Sequence, residues 1–142
     1  MAYLVNRRRI TVEWGHCDPA GIVFNSRFFE YFDTSSWALF EAALGVPPPK
    51  LGITFDIVGI PLVNAGARFL APVRFGDTVE IFSIIGAFRR SSFEVQHRLI
   101  VDDALAVEGS ETRVWAAADK DDPARLKSRP IPPDVIARFQ AP

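Results

Sequence analysis

Between residues 25 and 44 apolar side chains recur at three- and four-residue spacings: Phe28, Phe29, Phe32, Leu39, Phe40, Ala43 and Leu44. That period predicts a helix, and Tyr31 and Trp37 widen its stripe until most of the circumference is apolar, so the helix should be largely enclosed. Asn25 or Ser26 can cap its start. Gly45 suits the C′ position, and Pro47-Pro48-Pro49 prevents continuation. Before it, Ile10, Val12 and Trp14 alternate with polar residues and predict a strand over 8–14, followed by a loop over 15–24.

From residue 60 onward the period changes to two. Ile60–Leu70, Thr78–Phe88, Phe93–Val101 and Leu105–Ala116 are rich in β-branched and aromatic residues, and Phe93, Val95, His97, Leu99 and Val101 should share one face. The breaks between them, "APVRFGD", "RRSS" and "DDA", are short and turn-like, which requires antiparallel neighbours. The polar, Pro-rich tail carries a short helical pattern at 133–139. One enclosed helix and four or five antiparallel strands make an α+β layout in which the curved sheet wraps the helix. One helix covers one sheet face, so the other face is expected to meet a second subunit. No repeat or second domain is visible, and residues 1–142 read as a single domain.

Composition sharpens this outline modestly. Hydrophobic residues make up 49% of the chain and aromatics 12%, including 12 Phe, which leans towards an oligomer or an apolar ligand pocket. A net charge of −1 gives no electrostatic case for nucleic acid or an anionic membrane. One Cys excludes an internal disulfide, and neither an apolar leader nor a membrane-length run is present, so the expected location is cytoplasmic.

The candidate chemistry gathers in "WGHCDPAGIVFNSRFFEYFD", where His16, Cys17 and Asp18 stand together just ahead of the helix. A metal site would need about four ligands, and the other histidine, His97, lies in a predicted strand without a ligand-spaced partner. Cys17 reads as a small packed residue. Asp18 is either an Asx-turn residue of the Asp-Pro pair or a functional carboxylate beside the free amides and positive dipole of a helix start. A hydratase would need a His beside an acid, for which His97 with a strand acid is the candidate.

Together "GHCDPAGIVF", the aromatic helix, "APVRFGDTVEI" and "RRSSFEVQHRL" resemble the hotdog-fold acyl-CoA thioesterases, and most closely the 4-hydroxybenzoyl-CoA thioesterase branch, whose loop runs D-x-D-P-A-G-I-V or near it. The likeness spans roughly Arg9 to Pro133. It implies a hotdog fold and hydrolysis of an acyl-CoA, aromatic or alternatively short or branched aliphatic; a non-catalytic acyl-CoA-binding subunit is the further alternative. It implies Asp18 as nucleophile or general base, with a helix-start amide near Asn25 holding the oxyanion. The substrate would also meet His16, Gly21, Asp33 and Ile60, and the phosphates of coenzyme A would meet Arg89, Arg90 and Ser91. At Asp33 the aromatic branch would accept a bond from a phenolic hydroxyl, whereas a paired or solvent-facing Asp33, for example with Arg68, is the plainer reading. His16, Asn25, Ser91 and Ile60 depart from the branch pattern. No metal or dissociable cofactor is implied, since coenzyme A is part of the substrate. The expected assembly is a homodimer or a tetramer, with two sheets joined edge to edge.

Overall fold

The computed structural model describes residues 2–141, so the expected domain limits Met1 and Pro142 lie outside the described residues. Five antiparallel strands form one sheet in the order β1-β3-β4-β5-β2. They are β1 (Val5–Thr11), β2 (Leu62–Phe69), β3 (Thr78–Phe88), β4 (Ser92–Val101) and β5 (Ala104–Val114). A small second sheet pairs β6 (Ala116–Ala118) with β7 (Leu126–Ser128). The helices are α1 (Asn25–Leu44), α2 (Pro48–Phe55) and α3 (Pro133–Arg138). Among the described residues no helix is long and apolar enough to cross a membrane.

β3, β4 and β5 lie where their alternation predicts, because one face of each is buried beneath α1, whereas β2 has no buried residue on either face. The differences sit at element ends. β1 begins earlier and stops at Thr11, and Trp14 opens a 3-10 turn over Trp14–His16. Neither Asn25 nor Ser26 caps α1. Phe24 holds the N-cap position, and no side chain bonds to the helix start. Gly45 ends α1 in the left-handed conformation, φ 74°, as its position predicts. The three prolines do end α1, but Pro48 and Pro49 then occupy the first turn of α2, where a missing N–H costs nothing. In sequence the three prolines signal a break alone.

α1 is also less enclosed than its composition suggests. Phe28, Tyr31, Phe32, Ser35, Ser36, Leu39 and Phe40 are buried, whereas Asn25, Phe29, Glu30, Thr34 and Glu41 face outward. The buried stripe divides the core in two. Val12, Phe28, Phe32, Ile81, Leu99 and Val107 pack under its first half. Leu39, Phe40, Ile85, Val95, Trp115 and Phe139 pack under its second half, closed by α2 and α3.

A polar layer separates the two clusters. On each element a polar residue falls between apolar members of either side: Ser36 after Phe32, Ser83 between Ile81 and Ile85, His97 between Val95 and Leu99. The helix approaches β5 closely here because Gly109 lacks a side chain. A Cβ there would lie 2.5 Å from the Phe32 ring, which itself stacks on His97 at 4.8 Å and 10°. Gly109→Ala must therefore displace Phe32, and we expect a loss of about 1–3 kcal/mol in denaturant unfolding. A stability unchanged within 0.5 kcal/mol would contradict this account of the approach.

Candidate active site

The loop before α1 folds as a small hairpin. Cys17 pairs with Val23, the Asp18 amide donates to the Ile22 carbonyl at 2.9 Å, and the Phe24 amide donates to the His16 carbonyl at 2.9 Å. Gly21 closes the turn at φ 80°, a conformation that favours glycine, and its amide donates to the Asp18 carbonyl. The 71–77 loop buttresses this hairpin. Val23 donates to Val73, Phe75 donates to Gly21, and the Trp14 and Phe75 rings meet edge to face at 5.4 Å. The two segments that carry the resemblance are thus in direct contact.

Asp18 forms the turn that its Asp-Pro pair predicts. Its Oδ1 accepts the Ala20 amide at 2.8 Å, an Asx turn. Its Oδ2 has no partner among the described residues, so the turn fixes the carboxylate and leaves one oxygen available. The same hairpin carries the chain into the start of α1, where the Arg27 amide donates to the Phe24 carbonyl and the Asn25 and Ser26 amides have no acceptor among the described residues. A half-open cleft of about 320 Å³ lies at this end, lined by Ile22, Val23, Asn25, Phe28, Phe69 and Pro72 among others.

His16 is turned to α1. Its Nδ1 lies 2.8 Å from the Tyr31 hydroxyl, and its Nε2 lies 3.7 Å from Glu13. Burial, with the Cys17 thiol nearby, pushes the Tyr31 phenol up to about 12, so the phenol keeps its proton at neutral pH. His16 and Tyr31 together fasten the loop to the helix. Cys17 packs against the first core cluster, with its Sγ 3.6 Å from the Glu13 carbonyl.

Asn25, Phe29 and Asp33 follow one another at four-residue steps along the outward face of α1, a rise of about 12 Å. Asp33 is bound neither to solvent alone nor to Arg68, which pairs with Glu108 at 3.7 Å. Its Oδ1 accepts from Arg113 Nη2 at 2.6 Å, while the side chain remains 50% exposed. Ile60 buries its side chain in the core and turns its carbonyl to Arg113 Nη1 at 3.0 Å.

Behind Arg113 stands the polar layer. Glu111 accepts from Arg113 Nε and Nη2, each at 3.1 Å, from Ser36, and from His97 Nε2 at 3.2 Å. The other His97 nitrogen meets Ser83 at 2.7 Å. Burial pushes the Glu111 carboxyl up, but bonds from His97, Arg113 and Ser36 outweigh it and hold the group at about 2. Glu111 in turn raises the Arg113 guanidinium against the lowering effect of burial. His97 does meet a strand acid, as a hydratase reading requires. The pair is sealed beneath Phe32, with His97 1% and Glu111 4% exposed, so no substrate reaches it.

At the far hairpin the two arginines part. Arg89 pairs with Glu94 at 3.3 Å, whereas Arg90 lines an open groove with Lys120, Lys127 and Arg129, beside Asp119 and Asp121. Ser91 offers its carbonyl to the Trp115 amide at 2.8 Å, tying the turn to the junction of β5 and β6. The groove's other cations come from the tail, where their charges look in sequence like an ordinary solvated stretch. Among the described residues no group of three or more His, Cys, Asp or Glu is placed to hold a metal.

A helix wrapped by a five-stranded antiparallel sheet, with a rigid carboxylate turn at the open helix start, defines a class of hydrolytic fold. The chain belongs to the thioesterase-like superfamily, whose model matches residues 12–139, and it is a thioester hydrolase with the hotdog fold. It is 32% identical over 131 residues to 4-hydroxybenzoyl-CoA thioesterase of Pseudomonas sp. (strain CBS-3), covering 88% of this chain and 90% of that protein. Among solved structures it is similar to an Asp-to-Asn mutant of 4-hydroxybenzoyl CoA thioesterase complexed with 4-hydroxybenzoyl CoA. There the TM-score is 0.86 at 28% identity, over 96% of this chain and 99% of that one. A gentisyl-coenzyme A thioesterase aligns with a TM-score of 0.80 at 30% identity, over 94% and 99% of the two chains.

Proposed function

We propose that this protein hydrolyses an aromatic acyl-CoA, of benzoyl or 4-hydroxybenzoyl type, to the free acid and coenzyme A. One observation carries the reading: a carboxylate fixed by its own turn, with one free oxygen, stands on the hairpin that delivers the uncapped start of α1. Asp18 either attacks the thioester carbonyl or takes a proton from the attacking water. In the first route the C–S bond breaks as a mixed anhydride forms, and water then releases the acid. In the second, hydroxide adds directly and the thiolate leaves. The amides of the first turn of α1, beginning at Asn25, receive the oxyanion, helped by the helix dipole. The acyl group lies along Phe29 towards Asp33, whose free oxygen accepts from a ring hydroxyl. The comparison with thioesterases named for hydroxylated aromatic acyl groups supports this choice.

The Arg90 groove, which the length of β3 separates from Asp18 of the same chain, would take the coenzyme A phosphates of a site on a neighbouring protomer, with Arg90 as the forked donor. Arg90→Ala is expected to raise KM about tenfold with little change in kcat. The corresponding pantetheine thioester, which lacks those phosphates, should show no such change. An equal effect on both esters would remove Arg90 from phosphate binding.

The assembly follows from the two sheet edges. β1 carries Arg7, Arg8 and Arg9, which protect an edge from pairing. β2, at the opposite edge, exposes Leu62, Val63, Phe69 and neighbouring Leu70. Two copies joined through β2 would bury these residues and bring the exposed rings of Phe24, Phe29 and Phe75 towards a protomer boundary. The proposed assembly is a homodimer or a tetramer built from such dimers; a cytoplasmic location and a reaction without a cofactor besides the substrate belong to the same proposal.

The activity is tested by following free thiol release from benzoyl-, 4-hydroxybenzoyl- and short or branched aliphatic acyl-CoA. Preference for an aromatic ester is expected. Faster turnover of an aliphatic ester would overturn the aromatic assignment.

A further inference from the structure

Asp33 and Ile60 are far apart in sequence and unlike in chemistry, yet one side chain joins them. The Arg113 guanidinium, 3% exposed, spends every face on a partner: Nη2 on Asp33 at 2.6 Å, Nη1 on the Ile60 carbonyl at 3.0 Å, and Nε with Nη2 on Glu111 at 3.1 Å each. It therefore links α1, the segment before β2, and β5. Glu111 fixes the fork from behind, and four of the five N–H donors are engaged, leaving one on Nη1. Asp33 is tethered through one oxygen only.

We infer that Arg113, seated on Glu111, is the positioning residue of the acyl end of the site. It does not touch substrate. It holds the Asp33 carboxylate at a fixed place along α1 and gives the site its choice between acyl groups. The inference rests on the proposed aromatic acyl-CoA reading, in which the acyl group runs from Asn25 to Asp33. A tethered carboxylate with a free acceptor oxygen favours an acyl group bearing a hydrogen-bond donor at its far end. It disfavours one bearing a carboxylate there, because the guanidinium that could receive an anion is 3% exposed and its Nη2 is already taken by Asp33 and Glu111.

A lysine cannot reproduce the fork. One ammonium cannot hold Glu111 through two donors and still reach both Asp33 and the Ile60 carbonyl. The experiment compares 4-hydroxybenzoyl-CoA with benzoyl-CoA in the wild type, Arg113→Lys, and the double variant Glu111→Gln/Arg113→Gln, which removes both buried charges together and guards against misfolding of the single variant. The wild type should favour the hydroxylated ester about ten- to hundredfold in kcat/KM. In both variants that ratio should fall to within about threefold of unity through a rise in KM for the hydroxylated ester, with benzoyl-CoA turnover retained.

A ratio that stays at its wild-type value in a folded variant overturns the positioning role. So does an equal loss on both esters, which marks a merely structural residue. If the wild type itself shows no preference, the reading of Asp33 beneath the inference fails first, and the inference goes with it. If the wild type discriminates and Asp33→Asn abolishes that discrimination while Arg113→Lys preserves it, Asp33 stands and Arg113 falls.

Discussion

Asp18→Asn is expected to lower kcat for acyl-CoA hydrolysis by about 10²–10⁴-fold while leaving the fold intact. The carboxamide keeps an oxygen to accept the Ala20 amide, so the Asx turn, Gly21 and the register of the hairpin survive. What disappears is the charged oxygen that has no partner among the described residues. KM should change little, because the substitution leaves the proposed phosphate groove at Arg90 untouched. Steady-state kinetics with a thermal-melt control checks this directly. A variant within a few-fold of wild-type kcat would remove Asp18 from the chemistry and leave its turn-forming role alone.

The second large effect belongs to Glu111. Glu111→Ala leaves the Arg113 guanidinium with half its bonds and His97 without its acid, in a layer closed to water. Breaking a buried pair by removing one partner typically costs about 3–5 kcal/mol. That is a large part of the stability of an ordinary domain, about 5–15 kcal/mol. The pH dependence has a definite sign. The carboxyl is held at about 2 in the fold against an ordinary 4.5, so its contribution is present in full above 4.5. It is lost as pH falls from 4.5 towards 2. Wild-type unfolding free energy should therefore drop across that window, and Glu111→Gln should show a flatter profile there. A variant as stable as wild type, with an unchanged acid limb, would contradict the layer's role.

These two residues show what the sequence reveals and what it hides. Strand periodicity located β3 to β5 because one face of each is buried, and burial is what period two reports. The aromatic stripe located α1 for the same reason. β2 has no buried face and was located by its β-forming residues and its flanking turns. The end of β1 was misplaced because Trp14 alternates correctly with Val12 yet lies in a 3-10 turn. α2 was missed because Pro47-Pro48-Pro49 breaks one helix and opens another, and sequence gives the two roles the same letters. Asp18 was legible because its partners are local: Ala20, Gly21 and Ile22 are all within four residues.

Arg113 was not legible, because its partners lie 53 and 80 residues away. Only the pairing of β5 with its neighbours and the crossing of α1 bring them together. A faint local signal did exist. Glu111 and Arg113 stand two apart in a strand, which puts both charges on one face, flanked by the apolar Trp115. Charges on the buried face of a strand call for partners. The split of Arg89 from Arg90 was hidden too, since adjacent residues in a turn are alike in sequence and only the fold sends one to Glu94 and the other to the Lys127–Arg129 groove.

Cleavage of aromatic acyl-CoA thioesters is the activity proposed for this protein. The most direct test is the release of free coenzyme A thiol from 4-hydroxybenzoyl-CoA by the purified wild-type protein, run beside the same measurement on benzoyl- and aliphatic acyl-CoA esters. Catalytic release, fastest with the hydroxylated aromatic ester, is the predicted result. Tight binding of that ester with no thiol released would contradict the account and leave an acyl-CoA-binding subunit in its place.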